Sequence, residues 1–220
     1  MRLITPLLAA LALIAAPAAW AADANKPHEH KGVLKPYKQP PPPVSLTAKD
    51  QAALGKGEPV MKTLEGESGG RGAAVFRVNA PPDVVWGVIS DFKSYPKWID
   101  NVEEIEVYKT TPSTKDVRFE LSAIGFSVEY FIHHMYGQAD DTYWCTWTLD
   151  YARNSDLDDS VGSWRVSPVA QSPGQSQVEY SVDLRVKGWV PGFIRSLLVD
   201  KGLKEATQWV KVQSEKRVKK

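Results

Sequence analysis

The residues best suited to chemistry in this sequence are the adjacent histidines His133 and His134. An imidazole can act as a general base or acid near neutral pH when a carboxylate or a phenol sets its tautomer. Neighbours on one strand point to opposite faces, so the two histidines cannot hold one ion together. We expect His134 to face inward beside Tyr130 and His133 to face outward. The sequence leaves open whether His134 anchors a ligand, acts as a catalyst or fills the core.

Motifs for other kinds of chemistry are missing from the sequence. There is no glycine-rich phosphate loop between a strand and a helix, and no Gly-x-Ser-x-Gly. The single cysteine, Cys145, excludes an internal disulfide and a multi-cysteine metal cluster, and we interpret it as a small buried apolar residue. His28 and His30 in a polar segment are too few for a firm metal site. We therefore predict no catalytic residue, no metal and no cofactor.

Charge and composition narrow the function classes. The chain has 220 residues, with 27 Lys and Arg against 26 Asp and Glu, a formal net charge of +1. A general nucleic-acid binder would show a basic excess, so we expect no nucleic-acid partner. The length favours one main domain. Eight tryptophans and 10% aromatic residues can fill a core or line an apolar cavity.

Residues 1–21 have the pattern of a secretory signal peptide. A basic start, Met1-Arg2, precedes the apolar run 3–16, and Ala19-Trp20-Ala21 fits the small-x-small cleavage pattern. The run is shorter than the roughly 20 residues of a membrane span. An uncleaved anchor is the alternative. We expect cleavage after Ala21 and, in a Gram-negative host, a secreted, periplasmic protein.

Residues 22–56 are predicted to form a proline-rich linker that ends in a short helix. The run 40–43 consists of four prolines, which favour an extended polyproline II conformation and cannot pack a core. This pattern indicates a tether. A short helix over 45–54 is expected, with Ser45 or Thr47 as its cap.

Alternating apolar and polar residues predict a series of strands after the linker. We expect strands over 73–79, 102–109, 117–124, 127–136, 143–151, 161–168 and 178–186, and two short helices over 80–92 and 95–99. Short turns between successive strands imply an antiparallel meander. In the last strand, Tyr180 and Leu184 belong to the apolar face. Asp183 belongs to the polar face, which we expect to meet solvent.

The C-terminal part is predicted to be one long amphipathic helix. After a break at 188–192, apolar residues recur every fourth position from Ile194 to Val210. A curved sheet that wraps such a helix leaves room for an apolar cavity. The predicted fold class is α+β, with a curved antiparallel sheet of about six to seven strands around the C-terminal helix. Residues 217–220 would form a basic tail.

Several local motifs resemble the START-like (SRPBCC, helix-grip) superfamily. The stretch Val78-Asn79-Ala80-Pro81-Pro82-Asp83-Val84-Val85-Trp86 is followed by Ile89-Ser90-Asp91-Phe92 and Tyr95-Pro96-Lys97-Trp98. Together they look like the opening of secreted bacterial START, polyketide cyclase/dehydrase and coenzyme Q-binding-protein-like members. The resemblance covers roughly 73–215 and places the domain at 57–216. It implies a helix-grip fold that binds a hydrophobic small molecule or lipid between the sheet and the terminal helix.

The resulting hypothesis is a non-enzymatic periplasmic protein that binds or transports a sterol, quinone, phospholipid or fatty acid. Tyr130, His134 and Tyr180 would orient the polar end of the ligand. The candidate ligand-binding residues are Trp98, Phe119, Tyr130, His134, Trp147, Trp164, Tyr180, Leu184, Phe193, Ile194, Leu197 and Leu198. One alternative is a cyclase or dehydratase with His134 as base. Another is a module that holds a partner protein in its groove or on its proline-rich segment.

Three positions carry competing interpretations. Trp98 either borders the cavity mouth or plugs the core. Asp91 is interpreted as the cap of the second short helix. The apolar segment Trp189–Phe193 either touches membranes transiently or gates the entrance, or it fixes how the last strand enters the helix.

Overall fold

The computed structural model describes residues 22–64, 71–123, 126–187 and 202–219. Within them, one sheet of eight strands has the order β1-β2-β8-β7-β6-β5-β4-β3, and every pair is antiparallel. The elements are α1 (Ala48–Gly55), β1 (Val60–Leu64), β2 (Arg71–Val78), α2 (Pro82–Ile89), α3 (Tyr95–Trp98), β3 (Val102–Thr110), β4 (Thr114–Ala123), β5 (Phe126–Ala139), β6 (Thr142–Leu149), β7 (Leu157–Pro168), β8 (Ser176–Val186) and α4 (Gly202–Val218).

The predicted α+β class with a C-terminal helix on an antiparallel sheet is confirmed. The described sheet has eight strands instead of six or seven, because residues 60–64 pair with β2 and add an edge strand. The first predicted helix also forms, with Thr47 as its cap. The Thr47 side chain accepts the backbone N–H of Asp50, while the Asp50 carboxylate accepts that of Thr47.

The core lies between the inner face of the sheet and three helices, α2, α3 and α4. Val85 and Val88 of α2 and Val210 of α4 have no exposed surface, and they pack with inward residues of the strands. Cys145 is buried in this cluster, and burial raises the pKa of its thiol to about 12. The prediction of a buried, apolar role for Cys145 is therefore confirmed. Among the described helices, none combines the length and the apolar character that crossing a lipid bilayer requires.

Residues 22–47, here called the N-terminal arm, lie on the outer face of the sheet. The Asp159 carboxylate of β7 accepts the backbone N–H groups of Val33 and Leu34 at 2.6 and 2.7 Å. The Glu179 carboxylate of β8 accepts the backbone N–H of Val44 at 2.6 Å. The arm is thus attached to two neighbouring strands by hydrogen bonds that the prediction of an extended tether did not include.

The attached arm explains a second difference from expectation. Asp183 was expected to meet solvent, yet its side chain is buried, as are Glu179 and Ser181 on the same face of β8. Alternation along β8 correctly separates the two faces of the strand. It carries no information about a segment that lies far away in the sequence and packs on the polar face.

Candidate functional site

A cavity of about 190 Å³ lies between the inner face of the sheet and helix α4. Ala206 and Trp209 of α4 form one side of it, and Phe92, Tyr95 and the residues from Ile99 to Val102 close one end. Strands β4 to β8 supply the opposite wall. Seven of the candidate residues line it, namely Phe119, Tyr130, His134, Trp147, Trp164, Tyr180 and Leu184.

The remaining candidates have different places. Trp98 packs one layer behind the cavity, stacked on Trp209 with ring centroids 6.1 Å apart. The guanidinium of Arg217 lies 5.6 Å from the centre of the Trp98 ring. Phe193, Ile194, Leu197 and Leu198, and with them the segment Trp189–Phe193, lie outside the described residues. Contact of any of these side chains with a ligand stays a prediction.

Stacked aromatic rings build the cavity walls. Trp164 and Tyr180 stack with centroids 4.2 Å apart, and Phe119 and Tyr130 stack at 5.2 Å with nearly parallel planes. Each such pair stabilises the folded protein by about 0.5–1.5 kcal/mol, in addition to the contribution from burying the surface of the rings. Because the rings hold each other against the strands, they line the cavity without filling it.

The polar groups on the strand side of the cavity are uncharged. Burial raises the pKa of the Tyr130 and Tyr180 hydroxyls, which therefore stay protonated and can both donate and accept hydrogen bonds. The indole N–H of Trp147 donates to the Ser160 hydroxyl at 3.4 Å. These groups suit the hydroxyl or carbonyl oxygen of a neutral ligand.

His134 lies among these groups with 6% of its surface exposed. Burial lowers its pKa to about 3, so the ring is neutral at physiological pH. Its ring centroid is 5.0 Å from that of Phe92, and its Nδ1 has no hydrogen-bond partner among the described residues. His133 faces the other side, where its Nδ1 pairs with the buried Asp116 carboxylate. The predicted orientations of both histidines are thus confirmed.

Acid is expected to destabilise the protein through His134. The unfolded histidine titrates near pH 6.5, whereas the folded one titrates near pH 3, so between these values the unfolded state binds more protons. The free energy of unfolding then falls as the pH falls, by about 1.4 kcal/mol per unit. We measure the free energy of unfolding in urea at pH 7 and at pH 5. Between these two pH values, the free energy of unfolding of His134→Phe should fall by about 2 kcal/mol less than that of the unchanged protein.

The comparison is selective for His134 because the other buried histidine is retained. Burial also lowers the pKa of His28, so some acid sensitivity remains in the variant. Equal losses of unfolding free energy in the two proteins would contradict the assignment of a neutral, buried His134.

Asp91 does not cap the short helix as expected, since its side chain accepts no hydrogen bond from a backbone N–H there. Its Oδ2 instead accepts from the Ser94 hydroxyl at 3.0 Å and from the Arg217 guanidinium at 2.7 Å. Arg217 belongs to α4 and not to a free basic tail. This ion pair holds the C-terminal half of α4 against the segment that closes the cavity.

Sequence reasoning missed several cavity residues. Ala206 belongs to the apolar repeat predicted for the last helix, but neither it nor Trp209 was among the candidate site residues. Ser160 has the same phase as Trp164 but lies one residue before the predicted strand 161–168. Leu157 lies beyond a bulge between Leu157 and Asp159, so alternation counted back from Trp164 would place it on the wrong face. Asp100 and Asn101 sit in a turn in which Asn101 has a φ of 69°. No sequence signal indicates that these turn residues line the cavity.

A curved antiparallel sheet, a terminal helix and an apolar cavity between them define the class of helix-grip proteins. The chain belongs to the family described as polyketide cyclase / dehydrase and lipid transport, whose profile matches residues 78–208. This confirms the START-like assignment made from the opening motif.

Solved structures share this fold at low sequence identity. The Zhui aromatase/cyclase from a Streptomyces species is 17% identical, covering 67% of this chain and 94% of its own, with a TM-score of 0.57. A STAR-related lipid transfer protein from Xanthomonas axonopodis is 18% identical, with coverages of 71% and 92% and a TM-score of 0.60. The human StAR-related lipid transfer protein 5 is 11% identical, with coverages of 72% and 81% and a TM-score of 0.57. A comparison with curated proteins finds no match.

Proposed function

We propose that this protein binds and carries a hydrophobic small molecule or lipid in the cavity between the sheet and α4. The observation that carries the proposal is the open volume of about 190 Å³, which is walled by aromatic rings and, on its strand side, by uncharged polar groups. Moving apolar surface from water into such a cavity contributes about 25 cal/mol per Å², before the costs of association are subtracted. Two structural relatives named as lipid transfer proteins support the same reading.

The cavity suits a ring-shaped ligand with one polar end. A cavity of roughly 150 Å³ is known to hold a benzene molecule, so the present one is of the size of a small ring system. The hydroxyls of Tyr130 and Tyr180, with His134, would orient the polar end. Trp147, Trp164 and Leu184 would hold the apolar body, joined by Ile194 and Leu198. Among the expected ligands, the single ring of a quinone fits this volume better than the four fused rings of a sterol or the two chains of a phospholipid.

The chemistry of the cavity favours binding over catalysis. A cyclase or dehydratase in this site would use His134 as its base, and an effective base has a pKa near the working pH. Burial lowers the pKa of His134 to about 3, which makes the ring a weak proton acceptor. The same neutral ring can accept a hydrogen bond from a ligand hydroxyl, because this requires no change in its protonation. This supports the proposal of a carrier over that of a cyclase.

The proposal includes export to the periplasm. It rests on the pattern of a basic start, an apolar run and Ala19-Trp20-Ala21 within residues 1–21. Cleavage after Ala21 would leave the N-terminal arm as the first segment of the mature protein. The segment Trp189–Phe193 would provide transient membrane contact during loading.

The test is native mass spectrometry of the protein purified from its own host after export. We expect a bound molecule that organic solvent extracts and that the emptied protein takes up again. The emptied protein is then titrated with a short-chain quinone, a sterol, a fatty acid and a phospholipid, with uptake of the quinone expected. A protein that carries nothing and takes up none of the four probes would overturn the carrier assignment.

A further inference from the structure

The start of the N-terminal arm lies near the Asp156 carboxylate, in which only one of the two oxygens has a hydrogen-bond partner. Oδ2 of Asp156 accepts the backbone N–H of Glu129 at 2.8 Å. The backbone N–H of Ala22 lies near the same carboxylate and lowers its pKa. Oδ1 of Asp156 is buried and has no hydrogen-bond partner among the described residues. A buried carboxylate oxygen without a partner is costly, so this site lacks a donor.

Neighbouring contacts hold Ala22 in place at this carboxylate. Asp23 and Asn154 exchange two backbone hydrogen bonds, of 2.8 and 3.0 Å. The side-chain oxygen of Asn154 accepts from the Lys187 ammonium at 2.6 Å. These contacts of the residues that follow Ala22 support its position.

The electrostatic surroundings of Asp156 favour a cation. Burial raises the pKa of the Asp156 carboxyl, and the nearby negative charge of Glu129 raises it further. Lys187 acts in the opposite direction, as do the two backbone N–H groups. A positive charge at the position of the Ala22 nitrogen would compensate the buried carboxylate.

We propose that cleavage after Ala21 converts the Ala22 nitrogen into an α-ammonium group that pairs with the Asp156 carboxylate and locks the arm onto the domain. In this step a signal peptidase adds water across the Ala21–Ala22 peptide bond. The carboxylate leaves with the leader, and the released amine takes up a proton. The ammonium has three donors where the amide had one, so it can also serve the unpartnered Oδ1. The inference rests on the proposed export.

The lock would act on the strand that forms part of the cavity wall. Asp156 immediately precedes β7, whose residues Leu157 and Ser160 line the cavity. Asp159 of the same strand accepts the two arm N–H groups described above. Processing would thus complete a row of arm contacts along β7, so that the cavity wall reaches its full stability only in the mature protein.

The experiment compares two recombinant forms of the protein. One begins at Ala22, and the other carries Gly-Ser-Gly before Ala22, which moves the ammonium away. Each is made unchanged, with Asp156→Asn, and with Asp141→Asn as a control at an exposed turn position. We expect the form that begins at Ala22 to melt about 3 °C or more above the extended form. Asp156→Asn should remove this difference, whereas Asp141→Asn should leave it intact.

A direct readout keeps the proposal testable even if Asp156→Asn folds poorly. NMR titration of the Ala22 α-amino group should give a pKa above the ordinary value of about 7.7–8.0 in the processed form. Equal melting temperatures for the two forms, or an ordinary amine pKa, would overturn the pairing. Sequencing the N-terminus of the exported protein tests the cleavage site separately, and lipid uptake by both forms tests carriage separately.

Discussion

Replacing Asp159 with alanine is expected to lower the free energy of unfolding by about 3–5 kcal/mol. The carboxylate has no exposed surface and accepts hydrogen bonds from four donors. Two come from the backbone of Val33 and Leu34 in the arm, one from the Tyr151 hydroxyl at 2.7 Å, and one from the backbone N–H of Ser160 at 2.8 Å. Alanine would leave these donors without a partner, at about 1 kcal/mol or more each. Urea unfolding measures the loss.

The neighbouring residue Asp158 provides a matched control. Its carboxylate is partly exposed and pairs with His30 and Arg185 at 3.1 and 3.0 Å. Such surface pairs contribute about 1 kcal/mol or less, so Asp158→Ala should have a much smaller effect. If Asp159→Ala costs no more than Asp158→Ala, the arm is not an integral part of the fold.

Replacing Ala206 with phenylalanine is expected to weaken ligand binding at least a hundredfold. Ala206 lies on α4 with its side chain buried at the cavity wall. A phenyl ring added there would occupy a large part of the roughly 190 Å³ and displace the ligand. A hundredfold change corresponds to about 2.8 kcal/mol, within the range expected when an apolar contact is replaced by a steric clash. Uptake of the quinone probe by the emptied protein measures the effect.

The control for this variant lies two residues further along the same helix. Gln208 is exposed, so Gln208→Phe leaves the cavity unchanged. Both variants introduce phenylalanine into the same helix, so the helix propensity of the new residue is the same in each. Its affinity should match that of the unchanged protein. Undiminished binding by a folded Ala206→Phe protein would show that the ligand lies elsewhere.

Much of the fold follows from local patterns. Alternation correctly assigned Tyr130, His134, Trp147, Trp164 and Tyr180 to the inner face, because side-chain direction in a strand has a period of two. Helix starts were predictable from Thr47 before α1 and from the prolines at the start of α2, since capping and first-turn preferences act within a single turn. These predictions needed no knowledge of distant residues.

Other features depend on contacts between residues far apart in the sequence. Asp91 looked like a local cap, but its partner Arg217 is 126 positions away. Leu157 reaches the cavity because of a bulge at the start of β7, which local alternation does not reveal. The turn at Asp100 and Asn101 enters the cavity only because α3 and β3 bring it there.

The amino-acid sequence by itself determined the α+β class, the order of the elements, the family and the inward set of aromatic residues. These properties follow from the hydrophobic period and from short motifs, both of which are read within a few residues. The tertiary structure alone decided that the arm packs on the polar face of the sheet, that Asp183 is buried there, and that the aromatic rings leave a cavity. Burial and open volume depend on which distant segments pack together, and hydrogen bonds such as those from Val33 and Leu34 to Asp159 span more than 120 residues.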